Sequence, residues 1–114
     1  MSAMTEWAWA AGFFDGEGCI SYKRKGGLWR LVVQQNVREP LEVLERLFGG
    51  TLYGPYTRQR SRNGVGEWSN PYYVWRLNTQ EDVVLALEAM YPYLTVKREQ
   101  AQTAVEAIRE RLGT

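Results

Sequence analysis

Two carboxylates, each followed by a glycine, form a short segment whose residue types and spacing could support metal chemistry: Asp15-Gly16-Glu17-Gly18. Hard divalent cations such as Mg²⁺ take oxygen ligands, so two close carboxylates and the Gly16 carbonyl could bind one. The same four residues are also typical of a helix end and turn, where glycine and short acids are common for backbone reasons. On spacing alone, the turn is the favoured interpretation.

The composition excludes several other kinds of catalytic site. The 114 residues contain no histidine, which excludes Ser-His and Cys-His nucleophile systems, histidine-based nucleases and Cys2His2 zinc sites. Cys19 is the single cysteine, so an internal disulfide and a multi-thiolate metal cluster are excluded and a reducing compartment is expected. The sequence contains no apolar run long enough for a membrane span and no signal-peptide pattern. We therefore expect one soluble intracellular domain, residues 1–114, in the cytoplasm or an organelle matrix.

The basic residues are concentrated in two parts of the chain, which the net charge of +1 conceals. Residues 19–38 and 50–78 together hold nine basic side chains and a single acid, Glu67. The remaining residues hold five basic and twelve acidic side chains. Because charges on a folded chain act locally, a surface built from the two basic segments is typical of a protein that binds nucleic acid.

Hydrophobic periodicity predicts an α-ββ-α-ββ-α-α order of elements. The two hairpins alternate with period two, as expected of half-buried strands, while glycine, proline and capping residues delimit the helices. The predicted elements are a helix over about 5–15 ended by Gly16 and Gly18, strands over 19–25 and 28–35, a helix over 38–48, strands over 51–60 and 71–78, a helix over 79–90 and a helix from about Val96. This order predicts an α+β fold in which helices cover one face of a four-stranded, mainly antiparallel sheet.

The first predicted helix has almost no polar face, which indicates burial on most sides. Small or short residues recur along it at i, i+3, i+4 and i+7, and they would allow another backbone to approach closely. These residues are Ala8, Ala11, Gly12 and Asp15.

The sheet face opposite the apolar one is predicted to carry cations and amides. A two-stranded ribbon fits the major groove of B-DNA, where arginine reads guanine, asparagine or glutamine reads adenine, and lysine more often holds phosphates. A solvated polar face is the alternative, and the excess of basic residues makes it the weaker one. The predicted DNA-binding residues are Ser21, Lys23, Lys25, Arg30, Gln34, Tyr56, Arg58, Arg60, Arg62, Tyr72, Arg76 and Asn78, with Val32 among them on the same face.

The segment 10–18, A-A-G-F-F-D-G-E-G, resembles the nine-residue signature of the LAGLIDADG homing endonucleases. Gln34-Gln35, the R-E-P-L-E-x-L helix that closes on F-G-G, and the segment 91–101 also resemble the family at the expected spacing, so the resemblance covers residues 6 to about 110. The resemblance implies a homodimer in which two signature helices pack together. It also implies the mobility of an intron or intein.

The resemblance also implies roles for individual residues. Glu17 would bind the divalent metals (Mg²⁺ or Mn²⁺, with Ca²⁺ supporting binding without cleavage), helped by the Gly16 carbonyl, although the family more often has aspartate there. Asp15 would serve capping and interface polarity. Lys97 aligns with the active-site lysine; otherwise it is an ordinary cation at a helix start. Further candidates are Gln35, which would orient water and competes with Gln34, and Arg38, which could instead pair with Glu42.

The favoured function is a site-specific DNA endonuclease that makes double-strand breaks in a long, roughly palindromic site by metal-dependent phosphodiester hydrolysis. The main alternative is an intron maturase or a nucleic-acid-binding protein of the same fold that does not cleave. A third class is a protein-interaction domain that uses exposed aromatic residues such as Trp68 and Tyr72. The first class is expected to need Glu17 and Lys97, whereas a binding protein needs neither.

Overall fold

A computed structural model describes residues 3–57 and 71–113 of the chain. Within these ranges the order of elements is the predicted one. The elements are α1 (Ala3–Glu17), β1 (Gly18–Lys23), β2 (Leu28–Gln35), α2 (Glu39–Phe48), β3 (Thr51–Tyr56), β4 (Tyr72–Leu77), α3 (Gln80–Met90), a single 3-10 turn (Tyr91–Tyr93) and α4 (Arg98–Leu112). No helix within the described ranges has the length and apolar character needed to cross a membrane.

The four strands form a sheet in the order β1-β2-β4-β3, with each neighbouring pair antiparallel. Gly18 pairs with Val33 at the start of β1, and Val33 pairs in turn with Trp75 of β4. The predicted α+β fold with an antiparallel four-stranded sheet is therefore confirmed. The prediction that strand 51–60 continues through Arg58 and Arg60 falls partly outside the described residues.

The helices cover one face of the sheet because each strand presents its apolar residues to that side. Leu31, Val33, Trp75 and Leu77 are buried on the sheet, and they belong to the same core cluster as Phe14 of α1. The core also takes buried residues from α2, α3 and α4, among them Leu41, Leu44, Leu87, Met90, Ala101, Ala104 and Ile108. The indole N–H of Trp75 donates to the Gly49 carbonyl at 2.9 Å, so the largest side chain in the core leaves no unpaired donor.

Three predicted helix bounds were wrong by about two residues. The first helix begins at Ala3 rather than near Thr5. The prediction that glycines end the first helix before Glu17 fails because neither Gly16 nor Gly18 has a positive φ, so neither forms a left-handed cap. Gly18 instead allows a close approach, since a Cβ atom there would collide with the buried ring of Phe14. The last helix begins at Arg98 rather than near Val96, because residues 95–97 form a turn whose backbone N–H groups bond to Asp15.

Candidate metal centre and nucleic-acid interface

The C-terminal end of α1 is tied to the turn that precedes α4. One carboxylate oxygen of Asp15 accepts a hydrogen bond from the backbone N–H of Thr95 at 2.6 Å, and the other accepts one from the N–H of Lys97 at 3.0 Å. The carboxyl group of Asp15 therefore satisfies donors of the turn near the start of α4. Each of its two oxygens accepts one of these bonds, so the carboxyl group is held against the turn.

Lys97 lies directly against the same helix end. Its ammonium group donates to the backbone carbonyl of Asp15 at 2.7 Å and lies 5.9 Å from the centre of the Phe14 ring. A cation is favourable there because the last carbonyls of a helix lack intrahelical donors and carry the negative end of the helix dipole. The contact of Lys97 with the Asp15 carbonyl, two residues before Glu17, therefore explains why a cation is stable at the start of α4.

Glu17 is the last residue of α1, and its side chain is exposed. Among the described residues, no hydrogen bond or ion pair to this carboxylate is present. Gly16 is also exposed, and a Cβ atom there would have nothing within 4 Å. A carboxylate without a partner, next to open backbone at a helix C-terminus, is an all-oxygen donor set of the kind that Mg²⁺ takes.

The described side chains do not by themselves complete a metal site. Within residues 3–57 and 71–113, no group of three or more Asp, Glu, His or Cys side chains is placed to hold an ion. Glu17 is followed by Gly18, which pairs with Val33, so Glu17 lies beside the next β2 residue, Gln34. A metal at this point would need further oxygen ligands from another molecule.

The outer face of the sheet, meaning the face away from the helices, carries most of the predicted DNA-binding residues in the described ranges. The register pairs Ser21 with Arg30 and Val32 with Arg76, so these side chains lie on the same face. The side chain of Arg30 donates to the Ser21 hydroxyl at 3.0 Å, and the rings of Tyr56 and Tyr72 lie 5.4 Å apart. Outer-face positions by register are Ser21, Lys23, Arg30, Val32, Gln34, Tyr72 and Arg76, with Tyr56 opposite Tyr72.

Two predicted interface residues lie just outside the strands, and three lie beyond the described ranges. Lys25 belongs to the turn between β1 and β2, because β1 ends at Lys23. Asn78 is exposed and follows the last residue of β4. The predicted residues that lie outside the described ranges are Arg58, Arg60 and Arg62, and so does Trp68 of the protein-interaction hypothesis.

Arg76 has an unsatisfied donor at the centre of the outer face. The buried Nε–H of Arg76 has no hydrogen-bond partner, and within the described residues it is the one buried side-chain N or O atom in this condition. The guanidinium group lies 5.2 Å from the centre of the Tyr53 ring. Buried donors normally have partners, so the Nε–H of Arg76 is an exception among the described residues.

Gln35 and Arg38 lie at the end of the sheet where Glu17 is. Gln35 pairs with Tyr73 and shares the helix-facing parity of Val33, whereas Gln34 is exposed on the outer face. The Arg38 guanidinium lies 5.7 Å from the Tyr73 ring centre, and its Nε lies 3.5 Å from a Glu42 carboxylate oxygen. The Arg38–Glu42 pair considered as the alternative is therefore present.

The exposed side of α1 differs from the small-residue stripe read from the sequence. Ala11 is 0% exposed and packs in the core of its own chain, so it cannot contact a second chain. Ala8 is partly exposed and Gly12 is exposed, with nothing within 4 Å of its Cβ position. Trp9, which was not predicted to lie on this side, is 41% exposed and stacks on Phe13 with ring centres 5.3 Å apart. The spacing of Trp9 and Gly12, three residues apart on a helix, was the available signal.

Comparison with solved structures identifies the fold. The chain is similar to the homing endonuclease I-CvuI in complex with its target in the presence of Ca, with a TM-score of 0.68 and 24% identity over 95% of this chain and 68% of that chain. I-CvuI with another DNA target in the presence of Mg has uncleaved DNA.

Two further structures have the same fold. The homing endonuclease I-TnaI has a TM-score of 0.59 and 25% identity, over 94% of this chain and 74% of that one. The LAGLIDADG homing endonuclease I-GzeII, in complex with its DNA target, has a TM-score of 0.67 and 18% identity, over 95% of this chain and 36% of that one. No protein-family model and no curated protein matches the chain. The structural likenesses confirm the fold that the resemblance implied.

Proposed function

We propose that this chain, which has the fold of the LAGLIDADG homing endonucleases, is a site-specific DNA endonuclease that makes double-strand breaks. The observation that carries the proposal is the exposed Glu17 carboxylate at the end of the signature helix, which has no partner among the described residues. Lys97 contacts the same helix end through the Asp15 carbonyl. A protein that only binds nucleic acid has no need for a free carboxylate among groups that attract phosphate, because the negative charge repels phosphate.

The outer face of the sheet is proposed to bind duplex DNA. Its arginines and glutamine present donors that suit base edges in the major groove, and its lysines lie toward the tip of the β1–β2 ribbon, where they would contact phosphates. The guanidinium group of Arg76, which lies 5.2 Å from the centre of the Tyr53 ring, adds a positive charge to the same face. The structures of I-CvuI and I-GzeII with their targets support DNA as the partner.

Glu17 and the Gly16 carbonyl are proposed to hold a divalent metal, Mg²⁺ or Mn²⁺, and Ca²⁺ is expected to support binding without cleavage. When bound, the metal would supply an activated water and neutralise charge on the phosphate oxygens. The donor set fits this group, because both ligands are oxygens and both are exposed. The described residues offer one carboxylate per chain at this point, so DNA, water and a second chain would supply the other ligands.

The remaining candidates act around the phosphate. Lys97, held by the Asp15 carbonyl, would place a positive charge where the transition state gains negative charge. Gln35, or its neighbour Gln34, would orient the attacking water. Arg38 would join the same solvent network while its guanidinium stays between Tyr73 and Glu42.

The second chain is proposed to be another copy, packed against the exposed side of α1. Ala8 and Gly12 would allow the two helices to approach closely, and Trp9 would be covered. A two-fold dimer presents identical ribbons to two half-sites, which accounts for a roughly palindromic target. Two copies of Glu17 would then serve the two strands.

Replacing Gly12 with alanine should make the folded single chain more stable and the dimer less stable. Alanine has room at this position, and in a helix it stabilises the chain by about 0.5–1 kcal/mol relative to glycine. In the dimer the added methyl separates the helices, so the dissociation constant is expected to rise about tenfold. Sedimentation equilibrium measures the dimer, and urea unfolding at low concentration measures the chain. Leu85→Ala, on an exposed part of α3, is the control; unchanged dimerisation in Gly12→Ala would contradict this interface.

The binding part of the proposal is tested by the salt dependence of affinity. If about six phosphates are neutralised, affinity for duplex DNA should fall about 1,000-fold between 50 and 200 mM salt, and Lys23→Ala should lower the logarithmic slope by about one per chain. Arg109→Ala is the matched control, because Arg109 pairs with Glu88 on the helix side. Tighter binding to structured RNA than to duplex DNA would favour the maturase. An affinity that does not change with salt concentration would favour a protein-binding domain.

A further inference from the structure

The tip of the β1–β2 ribbon extends beyond the rest of the sheet. Pairing between β2 and β4 begins at Leu31 with Leu77, so among the described strands residues 28–30 of β2 pair with β1 alone. At this point the side chain of Gln80 replaces a strand: its amide accepts from the Trp29 N–H at 3.0 Å and donates to the Trp29 carbonyl at 2.7 Å. Beyond Trp29, the tip needs a different support.

Arg111, in the last turn of α4, supplies that support. Its guanidinium group donates to the carbonyls of both Gly26 and Gly27 in the turn that joins β1 to β2, with a distance of 3.0 Å to Gly26. A planar guanidinium has several donors in fixed directions, so it can donate to two neighbouring carbonyls in one fixed geometry. Gly27 has φ +63°, and a Cβ atom there would collide with the Arg111 guanidinium. The glycine therefore makes room for the contact as well as for the turn.

The charges at the tip oppose this contact. Lys23, Arg24 and Lys25 lie at the end of β1 and in the turn, so Arg111 adds a fourth cation to a small surface. Repulsion between like charges would move a freely rotating arginine away, and the two carbonyl bonds hold it in place instead. A bound phosphate would reduce the repulsion between these cations. The tip is therefore a surface that suits DNA, provided that the turn is held in one position.

We infer that Arg111 is a positioning residue that fixes the tip of the β1–β2 ribbon and so determines how the ribbon reads DNA far from the cleavage point. The inference rests on the proposed function. Glu17 lies just before the start of β1, and the tip lies just after its end. β1 has six residues, so at about 3.3 Å per residue the tip lies about 20 Å from Glu17, a length of about six base pairs. Arg111 therefore governs discrimination at the outer base pairs of each half-site and leaves the inner ones to the sheet.

Hydrogen exchange tests the contact without DNA. In Arg111→Ala, amides of residues 21–23 and 28–30 should exchange about tenfold faster, because charge-assisted bonds to two carbonyls are lost. Arg111→Lys keeps the charge but loses the planar guanidinium group that donates to both carbonyls, so the same amides should also exchange faster. Arg109→Ala removes a cation from the same turn of α4 and should leave these amides unchanged. Unchanged exchange in Arg111→Ala would overturn the inference.

Base discrimination tests the consequence. A duplex selected by the wild-type protein is changed one base pair at a time, and the dissociation constants are compared. In Arg111→Ala, discrimination about six base pairs from the cut should fall by roughly three- to tenfold, while discrimination near the cut and the rate at saturating DNA stay the same. A uniform loss at all positions, or no loss, would overturn the positioning role. If the wild-type protein selected no duplex, the proposed function would fail, and the exchange result would still decide whether Arg111 holds the tip.

Discussion

Replacing Glu17 with glutamine is expected to abolish DNA cleavage while DNA binding persists. The amide has the shape of the carboxylate but no negative charge, and hard divalent cations bind anionic oxygens far better than amides. Loss of several kcal/mol of charge stabilisation corresponds to a cleavage rate about 1,000-fold lower or more. The dissociation constant for DNA should stay the same or fall, since a negative charge near phosphate has been removed.

The two effects are separated by measuring single-turnover cleavage with saturating DNA in Mg²⁺ and, without a divalent metal, the dissociation constant. Glu45→Gln is the matched control, because Glu45 is an exposed glutamate on α2, away from the end of α1. A wild-type cleavage rate in Glu17→Gln would show that Glu17 does not take part in catalysis. Loss of binding together with cleavage would indicate that this glutamate supports the DNA-binding surface instead.

Replacing Lys97 with methionine has the second largest expected effect. The change removes the ammonium group that the Asp15 carbonyl holds and keeps a side chain of similar length. We expect single-turnover cleavage to fall roughly 100-fold, because charge that forms in the transition state loses a nearby cation. Stability should fall by only about 1 kcal/mol, the value of one charged contact at a helix C-terminus.

A purely structural role for Lys97 predicts a different pattern. In that case the variant would lose stability, yet cleavage per folded molecule at saturating DNA would match the wild-type rate. Lys97→Arg keeps the charge and should recover part of the rate. Arg98→Met is the control for charge at the same turn, because the Arg98 guanidinium lies over the Tyr91 ring, 5.0 Å from its centre.

Much of the fold could be predicted because local rules suffice for it. Strand alternation has a period of two, so the parity of Leu31 and Val33 indicates from the sequence alone which side chains of β2 face the helices. Pro40 and the residues before it indicated the start of α2, and Tyr91-Pro92 the end of α3. The glycine-rich end of α1 was harder to predict, because glycine occurs both in left-handed helix caps and where another group approaches the backbone closely. Gly18 is of the second kind.

The side of α1 that faces solvent could not be predicted from the sequence. The helix is apolar on nearly all sides, so no polar stripe indicates which residues point outward. Tertiary packing decides instead that Ala11 is buried and Trp9 is exposed. The hydrogen bonds between Asp15 and Lys97 and between Gly27 and Arg111 join residues more than 80 positions apart, so no local pattern indicates them.

The central claim, that the chain is a metal-dependent endonuclease acting as a two-fold dimer, is tested most directly by a cleavage selection. The purified protein is incubated with a pool of randomised duplex DNA and Mg²⁺, and the cut ends are sequenced beside a Glu17→Gln sample. We expect reproducible double-strand ends at a fixed position within a two-fold-symmetric motif, absent from the Glu17→Gln sample. No enriched ends with the wild-type protein, or the same ends with Glu17→Gln, would contradict it.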